Sequence, residues 1–548
     1  METGTARTTP WTTPVPVSNR FHRIKAVLAS LLIAGLSWGW PRGVMAADVL
    51  DLRLDGLDIP IDLAELEAWS QAPHRPITAD DDLAVWFTLL ERGSRSDLVD
   101  LLRAPLLRDQ SFGRQLLDTW TGGQMLAAVG DLLTAPDGTS TTPLLQSTLL
   151  ELLERRQEVS AIELLRALPL PRVSLRIDGL LRLAEQWRHQ LRTQRRASAK
   201  LRELDLPVRR SRPLAFTDRP VAWRPIAHTL VVPHRREPLP LLIWSASNVP
   251  SRGSTLPWVL LLPGVGGDAD QLGWLAAELA NQGWNAVVLQ HPGSDAIALK
   301  AALDGRRPPP GAETLAIRLA DVEATLSAQG RGAIPVMGDG VVLMGHSLGG
   351  LTALLAAGLE PEPGLDRRCS KGRGRLPITN PSRLLQCELP SVGLPQASTP
   401  PPGLRGLVLF SGFGSLLWPQ RGLTPLEVPV LMEGGTLDLI TPPLQEQLDL
   451  FLPMGDPRSR LVLVDGGSHF SPVRMTAREE AVFDLGEDLV GADPAMVQRL
   501  LLRITTEFLY GLSQPLPLVA QERQQEKVRA YVLDEAAARR WDNLLQQP

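Results

Sequence analysis

The pattern of apolar and polar positions changes once along the chain. From Ala47 to about Arg188, apolar residues recur three and four positions apart, and proline or glycine interrupts them repeatedly. This is the spacing of short amphipathic helices. Before them, a short piece at 50–54 alternates apolar and polar residues and could be a strand. After Pro225, apolar runs of four or five residues alternate with helical segments. Such alternation predicts a mostly parallel, doubly wound α/β sheet with helices on both faces.

These patterns give a domain organisation. We predict an all-helical domain over 47–190, a basic linker over 191–225, an α/β domain over 226–515 and a C-terminal tail over 516–548. A chain of 548 residues exceeds what one hydrophobic core normally organises, which agrees with two domains. The linker carries arginines between prolines. We interpret it as a solvated helix end and a connection, with contact to an anionic membrane or a partner as the alternative.

Within the α/β domain, short apolar runs have the length of buried strands. The predicted strands are 229–232, 241–244, 258–262, 285–289, 341–344, 407–410, 428–432 and 461–464. The predicted helices are 272–281, 313–328, one from Ser347 to about 359, and 496–511. Residues 361–402 interrupt the alternation, and we predict that they form a lid-like insertion, with a plain surface excursion as the alternative. The tail contains a charged helical piece at 526–540 to which the sequence assigns no role.

The sequence Gly-His-Ser-Leu-Gly-Gly at 345–350 follows a predicted strand and precedes a predicted helix. A serine at a sharp strand-to-helix turn needs a strained backbone, and Gly345 and Gly349 leave room where larger side chains would collide. This context is that of the nucleophile turn of the α/β-hydrolase fold. We therefore predict Ser347 as a nucleophile rather than part of a simple glycine-rich bend.

A serine nucleophile needs a base, which in this fold comes last in the chain order serine, acid, histidine. His469 is the one histidine downstream of Ser347, and it lies in a glycine-containing loop after a predicted strand. We predict His469 as the base. The neighbouring His346 is interpreted as a packing or supporting residue that points away from the reaction.

The acid is predicted from its place after a strand. Asp438 follows strand 428–432 through a short loop, which puts it at the same edge of the sheet as Ser347. It would orient the histidine and stabilise the imidazolium. Glu433, at the end of the same strand, is the second candidate, and a helix-capping role for Asp438 is the third interpretation.

Backbone amides are the predicted oxyanion donors. The amide of Leu348 follows the nucleophile, and the loop 263–267 follows the strand that ends at Leu262. These are the two positions from which the fold supplies its donors, and Val265 is the best second donor. A flexible turn without that function is the alternative for the loop.

The N-terminus has the layout of a secretory signal. Arg20, Arg23 and Lys25 precede an apolar stretch at 26–38, which is followed by small residues up to Ala47. We predict a signal peptide over 1–46, cleaved after Ala46, with an uncleaved anchor as the alternative.

In an oxidising compartment the two cysteines, Cys369 and Cys387, are expected to form a disulfide; two inert thiols are the alternative.

Composition names no further partner. The net charge of −4 gives no indication of nucleic-acid binding. The cysteines do not have the spacing of zinc ligands. The sequence therefore predicts no metal and no organic cofactor.

Several of these motifs together resemble a known family. The pieces Pro-Gly-Val-Gly-Gly at 263–267, Gln-His-Pro-Gly-Ser at 290–294, the serine turn at 345–350 and Ser-His-Phe at 468–470 are similar to dienelactone-hydrolase-like and plasma-type platelet-activating-factor acetylhydrolase-like α/β-hydrolases. With the segments 384–387 and 489–494 and the course of 47–190, the chain resembles the cyanobacterial subgroup that carries an N-terminal helical domain of unknown function. The resemblance covers nearly everything except the tail.

The resemblance implies a serine hydrolase of carboxylic esters, including lipid esters, with Ser347, Asp438 and His469 as a triad and Val265 and Leu348 as oxyanion donors. Relatives often have His-Gly where this chain has Pro263-Gly264, which affects loop packing rather than the backbone donor. Dienelactone hydrolases proper use cysteine, so Ser347 argues against their reaction. Export to the periplasm or the thylakoid lumen is expected.

Two other functions remain open from the sequence. The same triad can transfer an acyl group to an alcohol or amine instead of water. Alternatively, the helical domain binds a protein or lipid partner while the hydrolase domain is vestigial, although the intact Ser, Asp and His set speaks against decay.

Overall fold

The computed structural model describes residues 46–71, 83, 92–107, 110–210, 224–246, 256–371, 379–393, 396–475, 491–513 and 517–547. The signal peptide predicted over 1–46 therefore lies outside the described residues except for Ala46. No helix in the described part of the chain is long and apolar enough to cross a membrane.

The first region combines helices with a small sheet. Its helices are α1 (Leu63–Gln71), α2 (Arg92–Arg103), α3 (Gln110–Leu117), α4 (Trp120–Leu132), α5 (Thr142–Arg155) and α6 (Ala161–Ala167). Its strands are β1 (Val49–Leu54), β2 (Leu57–Asp62), β3 (Pro105–Leu107), β4 (Leu133–Thr134), β5 (Val159–Ser160) and β6 (Arg172–Arg176). A separate hydrophobic core, made mostly of leucines such as Leu63, Leu145 and Leu153, lies between these elements.

The prediction of an all-helical domain over 47–190 is therefore wrong, although the possible strand at 50–54 is present as β1. Four strands form a sheet in the order β2-β1-β6-β4, in which β1 and β6 run parallel although more than a hundred residues separate them. The strand β2 contains Pro60 and two aspartates, and β6 begins and ends with arginine. Apolar and polar residues alternate in both strands, but over six residues or fewer, and the pairing of β1 with β6 joins segments far apart in the sequence.

A long helix and a wide sheet follow. The helix is α7 (Ile177–Arg202). The strands are β7 (Val208–Arg210), β8 (Ile226–Leu230), β9 (Leu239–Trp244), β10 (Trp258–Leu262), β11 (Ala286–Leu289), β12 (Val341–His346), β13 (Leu404–Phe410), β14 (Val430–Gly435), β15 (Arg460–Asp465), β16 (Gln521–Gln525) and β17 (Val528–Leu533). Their order across the sheet is β7-β16-β17-β15-β14-β13-β12-β10-β11-β9-β8.

The central strands β11, β10, β12, β13, β14 and β15 run parallel, and antiparallel strands flank them on both sides. In β10, Trp258, Leu260 and Leu262 join the core on one face, while Val259 and Leu261 join the core on the other. Both faces are buried, which explains why the sequence shows continuous apolar runs rather than alternation. The predicted mostly parallel α/β sheet is confirmed.

Helices cover both faces of this sheet. In chain order they are α8 (Ala269–Asn281), α9 (Ala296–Leu303), α10 (Leu315–Gly330), α11 (Leu348–Ala356), α12 (Leu365–Lys371), α13 (Ser382–Val392), α14 (Pro494–Ser513) and α15 (Glu535–Gln546). Apolar residues of α8 and α14 share one core, and those of α10, α11 and α15 share the other. A 3₁₀ turn (Ala312–Thr314) precedes α10, and a π-helical turn (Leu444–Leu448) continues into the short helix Asp449–Phe451.

Two segments differ from their predictions. The basic segment predicted over 191–225 begins with the expected helix end, since α7 continues to Arg202, but Val208–Arg210 forms the edge strand β7 instead of a linker; residues 211–223 lie outside the described part. The tail predicted over 516–548 belongs to the large sheet, because β17 pairs with β15 and α15 packs into the same core as α10. The strand β16 buries Gln521, Arg523 and Gln525, so its sequence does not look like a strand.

The insertion contains the predicted disulfide. Cys369 in α12 and Cys387 in α13 are bonded, with 5.5 Å between their Cα atoms. The bond joins the two helices of the insertion. At the start of α13, Ser382 N donates a hydrogen bond of 3.1 Å to Ile440 O, so the insertion contacts the loop that follows β14. Its role as a lid stays a prediction.

We expect the disulfide to stabilise the fold by restricting the unfolded chain. The double substitution Cys369→Ser with Cys387→Ser opens a loop whose ends are 18 residues apart, and should lower the free energy of unfolding by about 3 kcal/mol. Urea unfolding measures this, with the wild type in dithiothreitol as the matched control. Two reactive thiols in the denatured, unreduced wild type would contradict the pairing.

Candidate active site

Ser347 lies between β12 and α11 in a strained backbone conformation. Its φ is +53°, a value that a residue with a side chain rarely adopts, and its amide donates a hydrogen bond of 2.9 Å to Phe410 O. The side chain is partly exposed, whereas His346 and Leu348 on either side are buried. A strained turn in this position directs the serine side chain away from the sheet.

Close backbone packing around the turn explains its glycines. A Cβ atom on Gly345 would collide with Gly349 O, and one on Gly349 would collide with Leu262 O at the end of β10. A Cβ atom on Gly264 would lie 3.3 Å from Ser347 Cβ. The loop 263–267 therefore runs directly beside the serine, and the predicted need for Gly345 and Gly349 agrees with this packing.

Asp438 and His469 meet in a hydrogen bond. Asp438 follows β14 and His469 follows β15, so both lie at the carboxyl edge of the parallel strands, where Ser347 follows β12. His469 Nδ1 lies 2.9 Å from Asp438 Oδ2, and both side chains are buried. Glu433, the second sequence candidate for the acid, is not the residue that pairs with this nitrogen.

The Asp438 carboxylate is held on both oxygens. Oδ1 accepts hydrogen bonds from the amides of Ile440 at 2.9 Å and Thr441 at 2.8 Å, and Oδ2 accepts one from Thr441 Oγ1 at 2.6 Å as well as from His469. Burial opposes ionisation, but the charge interaction with His469 and these hydrogen bonds together hold the pKa of Asp438 below its usual range. The carboxylate is therefore ionised and fixed in orientation.

His346 connects the serine turn to the histidine loop. Its Nε2 lies 2.9 Å from His469 O, and the two imidazole rings are 4.9 Å apart. Because a carbonyl oxygen accepts, Nε2 carries the proton, and Nδ1 has no hydrogen-bond partner among the described residues. Burial, and then the charge of His469, lower the pKa of His346 to about 3. His346 is neutral and supports the loop, as its interpretation as a supporting residue requires.

Val265 lies in the loop after β10, and Leu348 begins α11 directly after Ser347. On either side of Val265, Gly264 N donates to Gln271 Oε1 at 3.2 Å and Gly266 N donates to Ser294 O at 2.7 Å. In the part of the chain that the structure describes, no acceptor pairs with the amide of Val265 or Leu348. Amides without internal partners are available to an incoming oxygen.

Arg318 is a residue that the sequence analysis missed. It is 1% exposed on α10 and donates to Pro263 O, to Ser294 Oγ at 2.8 Å and to Thr352 Oγ1 at 3.2 Å. Thr352 Oγ1 in turn donates to Leu348 O at 2.7 Å. One guanidinium therefore ties the loop beside Ser347 to the helix that follows it. An arginine within a helical pattern offers no sequence signal for this role.

The charge of Arg318 is balanced by acidic groups nearby. Burial lowers its pKa to about 9, while the charges of Asp321 and Asp295 oppose that shift, so the group stays protonated at neutral pH. Asp321 is itself buried and accepts hydrogen bonds from His291 Nδ1 at 2.8 Å and from Arg235. The motif at 290–294, which carried only the family resemblance in the sequence, therefore belongs to the structure behind the loop 263–267.

Glu433 has a different protonation state from Asp438. It is completely buried, and its Oε2 accepts one hydrogen bond, of 3.3 Å, from Ser411 N. Burial, and then the charge of Asp438, raise the pKa of Glu433 to about 8. At neutral pH Glu433 is therefore mostly protonated, and Asp438 is the ionised carboxylate beside His469.

No cluster of three or more His, Cys, Asp and Glu side chains in the described ranges could hold a metal ion.

Comparison with known proteins gives one family. Residues 46–178 match a family model described as an alpha/beta hydrolase of unknown function (DUF1400). The match covers about a quarter of the chain, and it lies in the first region rather than in the part that carries Ser347, Asp438 and His469. No curated protein matches the chain. The family description supports the α/β-hydrolase family, in agreement with the large, mostly parallel sheet.

The raised pKa of Glu433 predicts a pH-dependent stability. A carboxyl whose pKa is about 8 in the folded state and about 4.5 otherwise stabilises the fold fully below the lower value, and this contribution is lost as the pH rises towards 8. The substitution Glu433→Gln keeps the neutral shape and should remove the loss. Between pH 5 and pH 8.5 the variant should gain on the order of 2 to 4 kcal/mol relative to the wild type.

Unfolding measured across this pH range tests the expectation. Glu446→Gln is the control, because the Glu446 carboxylate accepts hydrogen bonds from Gly414 N and Ser415 N at 2.9 Å and from Asn380 Nδ2 at 2.7 Å. That variant should lose stability at neutral pH. A difference between Glu433→Gln and wild type that stays constant with pH would show that Glu433 does not bind a proton in the folded state.

Proposed function

We propose that the protein is a serine hydrolase that cleaves carboxylic esters through an acyl-enzyme intermediate. The observation that carries the proposal is the hydrogen bond of 2.9 Å between His469 Nδ1 and Asp438 Oδ2, on a loop that His346 joins to the strained turn at Ser347. A buried carboxylate paired with the histidine after the last parallel strand, beside a serine at a positive φ, is the arrangement that activates a serine hydroxyl.

In the proposed first half-reaction, Ser347 is acylated with the help of His469 and Asp438. With Nδ1–H donating to Asp438, His469 Nε2 is free to accept the proton of Ser347 Oγ as that oxygen attacks the ester carbonyl carbon. Asp438 stays ionised and stabilises the imidazolium. The imidazolium then protonates the departing alkoxide, so the alcohol leaves and the acyl group remains on Ser347.

Water completes the proposed cycle. His469 Nε2 takes a proton from water as the water oxygen attacks the acyl carbon, and the proton passes to Ser347 Oγ when the bond to the acyl group breaks. The acid is released, and the starting state returns. In both halves the negative oxygen would rest on the amides of Val265 and Leu348, whose spacing depends on Arg318.

We further propose that small-molecule or lipid esters are the substrates and that the protein acts after export. The resemblance to acetylhydrolase-like enzymes and the predicted signal peptide support this, and the disulfide between Cys369 and Cys387 agrees with an oxidising compartment. Assays on esters graded by acyl length, with and without an added alcohol acceptor, test both the substrate class and transfer to an acceptor other than water.

Removing the serine hydroxyl should abolish turnover. Ser347→Ala is expected to lower the turnover of an activated ester by about 10⁴- to 10⁶-fold, because the nucleophile is lost while the fold is kept. A fluorophosphonate probe should label the wild type and the control Ser459→Ala, which changes a buried serine directly before β15. Equal labelling of wild type and Ser347→Ala would defeat the proposal.

Cutting the link between Arg318 and α11 should slow the reaction without weakening substrate binding. Thr352→Val removes the oxygen that accepts from Arg318 and donates to Leu348 O, so the two oxyanion amides lose their fixed spacing. We expect kcat to fall about ten- to a hundred-fold with KM nearly unchanged.

Thr506→Val is the matched control for this experiment. Thr506 Oγ1 also donates to the carbonyl four residues earlier, Leu502 O at 2.7 Å, but in α14 on the other face of the sheet. Both variants lose a hydroxyl that donates to the preceding helical turn, and only Thr352→Val should lose turnover. Equal kcat values in the two variants would remove Arg318 and Thr352 from the mechanism.

A further inference from the structure

The helix α7 joins the first region to the proposed active site. It contains 26 residues and is therefore about 39 Å long. Near its start, a Cβ atom on Gly179 would lie 2.5 Å from Leu132 Cδ2 of α4, so the helix packs closely against the first region. Near its end, Ala197 and Leu201 are buried in the core on one face of the large sheet.

In its second half α7 touches the acid of the proposed triad. Gln194 is 2% exposed, and its Nε2 donates a hydrogen bond of 2.8 Å to the backbone carbonyl of Asp438. The remaining polar groups of Asp438 are bonded within its own neighbourhood, since its amide donates to Gly435 O at 3.0 Å and its carboxylate accepts from Ile440, Thr441 and His469. Among the hydrogen bonds of Asp438 with the described residues, the one from Gln194 comes from outside the loop and the neighbouring histidine loop.

The next turn of the helix touches the strand that leads to the histidine. Ser198 Oγ donates to Asp465 Oδ1, and Arg202 Nη2 donates to Asp465 Oδ2 at 2.8 Å. Asp465 is the last residue of β15, four positions before His469. Between these contacts, Trp541 Nε1 of α15 donates to Ala197 O at 3.1 Å, which locks the helix against the sheet.

We propose that α7 is a positioning element for the acid and histidine, and that Gln194 is its principal positioning residue. Gln194 orients the Asp438 peptide so that the carboxylate faces His469 Nδ1, while Ser198 and Arg202 hold the end of β15. The inference rests on the proposed function of Ser347, Asp438 and His469. It makes the first region a working part of the catalytic unit rather than an independent module.

Loss of the Gln194 side chain should destabilise the loop that carries Asp438. Without the donor, the Asp438 carbonyl is a buried acceptor with no partner, and the loop gains by rotating that peptide towards water. Rotation moves the carboxylate away from the imidazole. The imidazolium formed during the reaction then loses part of its stabilisation, although the serine and the substrate-binding surface are unchanged.

Gln194→Leu in the full chain tests the proposal, because leucine has a similar size and cannot donate. We expect kcat to fall about ten- to a hundred-fold with KM within a factor of about two. We also expect the acidic limb of the pH dependence of kcat/KM to move to lower pH, since the imidazolium is less stabilised.

Gln190→Leu is the matched control. Gln190 lies one turn earlier on α7 and is also buried, at 7% exposure. If α7 serves packing alone, the two variants should lose similar stability and keep the wild-type pH profile. An unchanged kcat and an unchanged pH profile in a folded Gln194→Leu protein would overturn the proposal.

A second variant covers the case in which Gln194→Leu does not fold. Ser198→Ala removes the donor to Asp465 Oδ1 and should lower kcat about threefold or more, with the same direction of pH shift. No effect on either measurement would overturn the proposal. Failure of the proposed function is separately recognised, because the wild type itself would then not react with a fluorophosphonate at Ser347.

Discussion

The close approach of three backbone segments around Ser347 is the constraint on which the rest of the structure depends. The end of β10, the turn after β12 and the start of α11 lie so close together that Gly345 and Gly349 have no room for a side chain. In that space the chain can turn from strand to helix only through a residue of positive φ, and Ser347 adopts it. Strain of this kind persists because the surrounding sheet, buried on both faces, determines where each segment runs.

The protonation states of the two buried carboxyl groups near the serine depend on their hydrogen-bond partners. Asp438 and Glu433 are carboxyls from the same loop and strand, and both are fully buried. Asp438 has hydrogen-bond donors on both oxygens and remains ionised, whereas Glu433 has one long hydrogen bond and holds a proton until about pH 8. Of the two histidines, His346 is neutral and donates to a carbonyl, whereas His469 donates to the Asp438 carboxylate. Partners, rather than residue types, assign these states.

The connection between the two regions gives a structural meaning to the family match. The matched residues 46–178 end just after α7 begins, and α7 continues from there to Asp438 and Asp465. A family described as alpha/beta hydrolase is thus matched through a region that contains neither Ser347 nor His469. Because α7 is continuous, it links the first region directly to the acid loop and to the end of β15.

The amino-acid sequence alone predicted the central strands, the turn at Ser347 and the disulfide between Cys369 and Cys387. These features have local signals: apolar runs buried on both faces, a glycine on each side of a serine, and two cysteines in one segment. Tertiary structure alone decided the pairing of β1 with β6 in the first region and the strand β16, whose buried polar residues carry no strand pattern. It also decided the roles of Arg318 and Gln194, because a buried donor is defined by the acceptor that folding brings to it, and those acceptors, Pro263 O and Asp438 O, lie 55 and 244 residues away.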